Sequence, residues 1–402
     1  MNSAAPLKIL IAPDSFKGSL TSVQVADIVT DAARNRFPDA VIRSIPVADG
    51  GEGTVDAILH AAGGSRRETV VPDPLGRPVR VAYGMILRKE TIKPAAVLEM
   101  AQASGLTRLA REEYDPLRTS SFGTGELIKH VLDEGETSDL VLGIGGSATN
   151  DGGAGVADAL GARFLDEAGQ AFLPTGGTLG DINALDLSGL DPRLARVRLT
   201  VLCDVRNPMT GPEGASAVYG PQKGADPATV AVLEAGMRHY RALLLKTCGR
   251  DVGAVPGTGA AGGLAASLLA FLPPGGCVLR PGIDTLLDLA GFDALLQDTD
   301  LVITGEGRID RQTPHGKVIA GIGFRCQPRN IPVLALCGGL SADGGTESLY
   351  ANGISGIMPA VARPMTLAEA MENAEALLAD AADRLFRLVA AGRQLPLGGR
   401  SR

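Results

Sequence analysis

The chain has 402 residues, 45% of them hydrophobic, a length that at ordinary domain size divides into two or three domains. A net charge of −7 and the absence of tryptophan exclude a nucleic-acid surface built on clustered basic residues or aromatic stacking, while 53 glycines beside 3% aromatics predict an α/β protein that contacts ligands through backbone loops. Five cysteines without a C-x-x-C pair predict neither a zinc site nor a disulfide framework and fit a reducing cytoplasm, and no apolar run is long enough to predict a membrane span.

In chain order, Leu7–Ala12 and Val41–Val47 read as strands, each followed by a helix, roughly Ser22–Arg36 and Gly53–Ala62. This opening βαβα unit predicts a parallel sheet. The far end repeats the grammar, with strand Leu301–Thr304, a helix near Lys317–Arg325, strands Ile331–Leu336 and Ile354–Met358, and an amphipathic helix from about Leu367 to Val389. Between the two ends, strands near Arg80–Gly84, Asp139–Ile144 and Arg198–Leu202 alternate with helices near Thr124–Leu132, Gly153–Leu160 and Thr229–Thr247. Two Pro/Gly-rich joints, Val71–Pro78 and Pro273–Gly282, read as domain crossings. The expectation is a doubly wound Rossmann/flavodoxin-like domain of residues 1–72 plus 286–394, an inserted α/β domain of 73–285, and a flexible tail of 395–402.

Charged residues gather at strand ends beside glycines. After the strand Leu301–Thr304 comes a segment holding Gly305, Glu306, Gly307, Arg308, Asp310 and Lys317. It reads as a loop in which glycines let N–H groups approach an anion and the acid–base mixture serves both a phosphate and its Mg²⁺. The spacing is not that of a P-loop. Asp49-Gly-Gly-Glu-Gly-Thr54 ends another strand and offers Asp49 and Glu52 to a metal, or else forms a tight turn whose acid suits a helix start. Lys17 follows the first strand and reaches the same crevice, unless it is a solvated surface charge.

Gly143-x-Gly145-Gly146-x-Ala148, with Asp166 further on, formally matches a dinucleotide fingerprint. Ser147 and Thr149 suit a substrate carboxylate or phosphate, whereas Asp151 serves either as a cap or in catalysis. Asp204 ends the strand Arg198–Leu202, with Asn207 beyond it, in a site or in an Asx turn. Gly257, Gly259 and Gly262 form either a nest for phosphate oxygens or a crowded helix start. The four histidines make no ligand-like pair.

Together, APDSFKGSLTS at Ala12–Ser22, VADGGEGT at Val47–Thr54, GIGGSATNDGGAG at Gly143–Gly155, LCDVRNP at Leu202–Pro208, YGPQKGA at Tyr219–Ala225, GTGAAGGL at Gly257–Leu264 and TGEGRIDRQT at Thr304–Thr313 resemble the type-1 glycerate kinase family. The resemblance implies ATP-dependent phosphorylation of D-glycerate by a protein with two α/β domains; a monomer or homodimer is expected, and composition and hydropathy predict no nucleic-acid or membrane partner. Phosphoryl transfer then assigns Lys17, Arg308 and Lys317 to charge neutralisation and Asp49, Glu52 and Glu306 to Mg²⁺. Asp204 is the expected base with Asp310 as its rival, and Ser147, Thr149, Asn150 and Asn207 are expected to hold glycerate. The glycines Gly145, Gly146, Gly257, Gly259, Gly262, Gly305 and Gly307 are expected to receive the nucleotide, in a site where the domains meet. Two alternatives are an NAD(P)-dependent oxidoreductase using the fingerprint and a non-catalytic sugar-acid sensor. The favoured product is 2-phosphoglycerate.

Overall fold

A computed structural model describes residues 6–48, 51, 53–87, 94–137, 139–310, 313, 318–341 and 345–394. Asp49, Glu52, Lys317 and the tail 395–402 therefore lie outside the described residues. In chain order the strands are Lys8–Pro13 (β1), Val41–Ser44 (β2), Ser65–Pro72 (β3), Pro78–Ile86 (β4), Ala95–Glu99 (β5), Asp139–Gly143 (β6) and Arg163–Leu165 (β7). They continue with Ala171–Phe172 (β8), Ala184–Asp186 (β9), Arg198–Leu202 (β10), Cys277–Arg280 (β11), Leu301–Ile309 (β12), Val333–Leu340 (β13) and Ile354–Pro359 (β14). The chain separates into two compact units, Met1–Asp49 with Leu286–Arg402, and Gly50–Thr285.

The first unit is an all-parallel sheet in the order β14-β13-β12-β1-β2. Ile9 and Ile11 of β1 and Leu301 and Ile303 of β12 join a core with Val25, Val29, Leu378 and Phe386, from helices Ser22–Arg36 and Ala374–Gln394. Leu10 and Val302, of opposite parity, are buried outside that core, and helix Val318–Cys326 packs against β12 and β13. Burial on both faces explains why these strands read as continuous apolar runs. Helix Ser22–Arg36 starts where the sequence places it because Thr21 and Gln24 form a capping box. The long C-terminal helix is broken at Asn373 into Leu367–Glu372 and Ala374–Gln394.

The second unit carries a six-stranded mixed sheet in the order β11-β10-β6-β5-β4-β3 and a small antiparallel sheet, β8-β7-β9. Its parallel part, β11-β10-β6-β5, brings four carboxyl ends to one edge. The units divide at Asp49/Gly50 and at Thr285/Leu286, so the later boundary falls where it was expected, just past Pro281–Gly282, and the first Pro/Gly-rich segment is not a crossing. Val71–Pro78 is the hairpin between antiparallel β3 and β4, closed by Asp73 N–H to Arg77 O (2.7 Å). Pro273–Gly276 turns into β11, which pairs with β10 inside the same unit. Residues 50–72 accordingly pack with the second unit, because β3 needs β4 as its partner. No described helix is long and apolar enough to cross a membrane.

Candidate active site

In the first unit the chain steps from β1 to β2 on one side and from β12 through β13 to β14 on the other. Segments leaving the carboxyl ends of β1 and β12 therefore diverge and leave a crevice, the usual ligand position in open α/β sheets. A cavity of about 580 Å³ lies there, and Asp14, Lys17, Glu306, Arg308 and Asp310 all line it. Asp14 is fixed by its N–H to Gly305 O (2.8 Å) and accepts Ser15 N–H on Oδ1 (2.6 Å). Phe16 and Leu20 then exchange backbone hydrogen bonds of 2.8 and 3.0 Å around Gly18, whose φ of +81° closes a turn that presents exposed Lys17.

The predicted glycine loop is strand instead. β12 continues through Gly305-Glu306-Gly307 to Ile309, paired with β13 along that length. A Cβ at Gly305 would stand 2.6 Å from Leu336 O, and one at Gly307 would stand 3.1 Å from Phe16 Cα. Strand packing explains both glycines, so they form no anion nest. Buried Glu306 accepts the Thr313 hydroxyl on Oε1 (2.5 Å), and Thr313 also donates its N–H to Asp310 Oδ1 (3.2 Å). Arg308 is exposed and donates to Ser341 Oγ (3.3 Å).

In the second unit the segment after β6 surrounds a buried ammonium group. Lys223 Nζ donates to Ser147 Oγ (2.9 Å) and Thr149 O (2.6 Å), and burial pushes its pKa down to about 7 against the opposing pull of Asp151. Because Ser147 Oγ accepts from Lys223, its own hydrogen is left to donate elsewhere. Asn150 Nδ2 donates to Ser216 Oγ (3.0 Å), and Thr149 Oγ1 and Asn150 Oδ1 are buried with no partner among the described residues. Such groups suit a small polar ligand. Neither Lys223 nor Ser216 stands out in the sequence as a site residue. The signal for Lys223 was the Tyr219–Ala225 motif, in which the lysine was given no role.

Asp151 resolves as a cap. Oδ2 accepts Ser121 N–H (2.7 Å), Ser121 Oγ–H (2.8 Å) and Gly155 N–H (3.3 Å), while Oδ1 accepts Gly153 N–H (3.1 Å). Burial raises its pKa against these donors. Glu99, at the carboxyl end of β5, does the same for helix Thr54–Ala62, accepting Val55 N–H on Oε1 (2.6 Å) and Gly53 N–H on Oε2 (3.3 Å). It thereby anchors the far side of the Asp49–Thr54 motif.

Several expectations are corrected. The fingerprint reading of Gly145 and Gly146 fails because the helix after β6 begins only at Ala154, and Gly146 O is taken by Leu106 N–H (2.9 Å). Asp166 closes the β7–β8 turn through Gln170 N–H (2.8 Å) and is no ribose ligand. Asn207 spends its amide inside the protein, Nδ2 on Glu213 O (2.7 Å) and Oδ1 on the Tyr219 hydroxyl (2.7 Å), so it braces a loop instead of holding glycerate. Asp204 Oδ1 accepts Gly282 N–H (2.8 Å) at the start of helix Gly282–Leu289, which ties the expected base to a capping role. Gly257, Gly259 and Gly262 are buried and crowded, Gly259 N–H donating to Asn207 O (2.8 Å) and a Cβ at Gly262 meeting Thr149 O at 2.0 Å. The crowded helix start prevails over the nest. No cluster of three metal-ligating side chains occurs among the described residues.

A model of the glycerate kinase family matches residues 9–390. A glycerate kinase from Halalkalibacterium halodurans is 45% identical over 374 residues, covering 93% of this chain and 96% of the relative. A glycerate 2-kinase from Escherichia coli K12 is 44% identical over 92% of this chain and 94% of its own length. The crystal structure of a Salmonella typhimurium LT2 protein, a candidate glycerate kinase 2, superposes with a TM-score of 0.83 at 43% identity, covering 97% of this chain and all of the other.

Proposed function

Since the chain belongs to the glycerate kinase family, we propose that it transfers the terminal phosphoryl group of ATP to D-glycerate, releasing ADP and 2-phosphoglycerate, as a cytoplasmic enzyme. The observation that carries this reading is the mixed charge on one cavity: Lys17 and Arg308 beside Asp14, Glu306 and Asp310, at the point where the sheet order reverses. Two cations neutralise phosphate oxygens, and phosphoryl transfer asks mainly for such neutralisation and for positioning. Lys317 is proposed to neutralise phosphate charge as well, and Asp49 and Glu52 are proposed as carboxylates for Mg²⁺.

Mg²⁺ is held elsewhere by one or two carboxylates together with substrate phosphates, so a three-acid cage is not required. Glu306 and Asp310 fit that donor set, and the ion would neutralise charge on the phosphates when bound. The acceptor is proposed to sit at Ser147, Thr149 and Asn150, where the Ser147 hydroxyl donates to the glycerate carboxylate. A carboxylate then has only to orient the attacking hydroxyl, a task open within the same unit to Asp204 despite its cap.

The 2-phosphate is favoured because the E. coli relative carries that regiochemistry in its name. Supplying enolase without a mutase tests it directly: phosphoenolpyruvate should form from D-glycerate, ATP and Mg²⁺. ADP release without phosphoenolpyruvate would assign the 3-phosphate, and no ADP release would leave a sugar-acid sensor.

A further inference from the structure

The cavity of the first unit has a second character that charge does not explain. Besides the polar groups, Leu340, Leu367 and Met371 line it while remaining 47%, 76% and 39% exposed. Leu367 is the first residue of helix Leu367–Glu372, which is started by the Thr366–Glu369 capping box and buries none of its residues. Core packing therefore gives no reason for a leucine there, and an apolar wall in a concave site marks a surface kept for a ligand. Glycerate has no apolar face to offer it. About 580 Å³ is also far more than a three-carbon acid needs, yet falls within the range of sites for larger ligands.

A ligand that satisfies both walls carries a flat, weakly polar ring at one end and several negative charges at the other. Resting on the kinase reading above, we propose that this cavity is the nucleotide site, with the base lying on the Leu340–Leu367–Met371 wall and the phosphates directed to Lys17 and Arg308. The base is then gripped by aliphatic side chains and a thioether, in a chain with 3% aromatic residues. Methionine suits that duty because its sulfur is polarisable and its side chain adapts to the edge of a ring.

Calorimetric titration of the full-length protein with ADP and with pyrophosphate, which lacks the base, tests the assignment. The double variant Leu367→Gln/Met371→Gln is neutral and confined to exposed positions, and circular dichroism checks its fold. It should weaken ADP binding about tenfold or more, on the order of 1.4 kcal/mol, and leave pyrophosphate affinity unchanged. In a second readout, the ¹³C-methyl resonances of Met365 and Met371 should move with ADP and not with pyrophosphate. Unchanged ADP affinity, equal weakening for both ligands, or no ADP binding by the native protein would each overturn the site. Native protein that binds ADP through this wall but phosphorylates no glycerate would instead overturn the kinase reading and uphold the site.

Discussion

Lys223 is the residue on which the acceptor cluster turns, since one ammonium group positions both Ser147 Oγ and the Thr149 carbonyl. Lys223→Met should raise KM for D-glycerate about tenfold, the scale of one charge-assisted hydrogen bond, with KM for ATP nearly unchanged; a shift in both KM values would make the lysine a general support. Its titration gives a second readout. The pKa falls from 10.5 in the unfolded chain to about 7 in the folded one. Between those values the unfolded chain holds a proton that the folded protein has released, so this group makes stability rise with pH from about 7 to 10.5. Below about 7 the full cost of the buried charge persists. Urea midpoints measured across that interval should climb more steeply for the native protein than for Lys223→Met. An isolated lysine in Gly-Pro-Gln-Lys-Gly reads as a solvated turn, and only its packing under the Gly143–Gly153 loop reveals otherwise. Lys17, for which the sequence offered a solvated surface charge as the alternative, does stay exposed.

Elements that carry their own start and stop signals were legible. Helix Ser22–Arg36 is bounded as expected by its capping box, and Arg198–Leu202 is the strand that its alternation predicts. What could not be read was structure imposed by neighbours. Gly305-Glu306-Gly307 has loop composition, yet β13 along its length, with β1 at Gly305, holds it as strand. The hairpin at Val71–Pro78 resembled a linker because prolines and a glycine serve both purposes. Glu99 gave no sign that it caps a helix more than 40 residues earlier in the chain, since nothing local marks a capping carboxylate that distant. Glu99→Ala should lower stability by about 1–3 kcal/mol, because Gly53 and Val55 would lose the acceptor for their N–H groups. Hydrogen exchange should quicken first in helix Thr54–Ala62. If the whole molecule loosened equally, the cap would not be local.

At the scale of the whole molecule, parallel sheets with charged carboxyl edges and the later boundary at Thr285/Leu286 were legible, whereas the earlier boundary was not, because the pairing of β3 with β4 moves it from 72/73 to Asp49/Gly50. The proposed division of labour predicts where each ligand slows amide exchange. ADP should protect residues 14–20, 305–310 and 338–341 in the first unit, and D-glycerate should protect 145–150 in the second. Protection of the same segments by both ligands would contradict separate binding duties. The sheet order has one more consequence. β1 pairs with a strand 292 residues further along, as in Thr304 Oγ1 to Ala12 O (2.9 Å). During synthesis the amino-terminal strand therefore leaves the ribosome long before its central neighbour exists, and the Gly50–Thr285 portion can fold while that strand waits. A nascent chain stalled before residue 301 thus carries an apolar ribbon open on one side, a surface for chaperones to shield until translation ends.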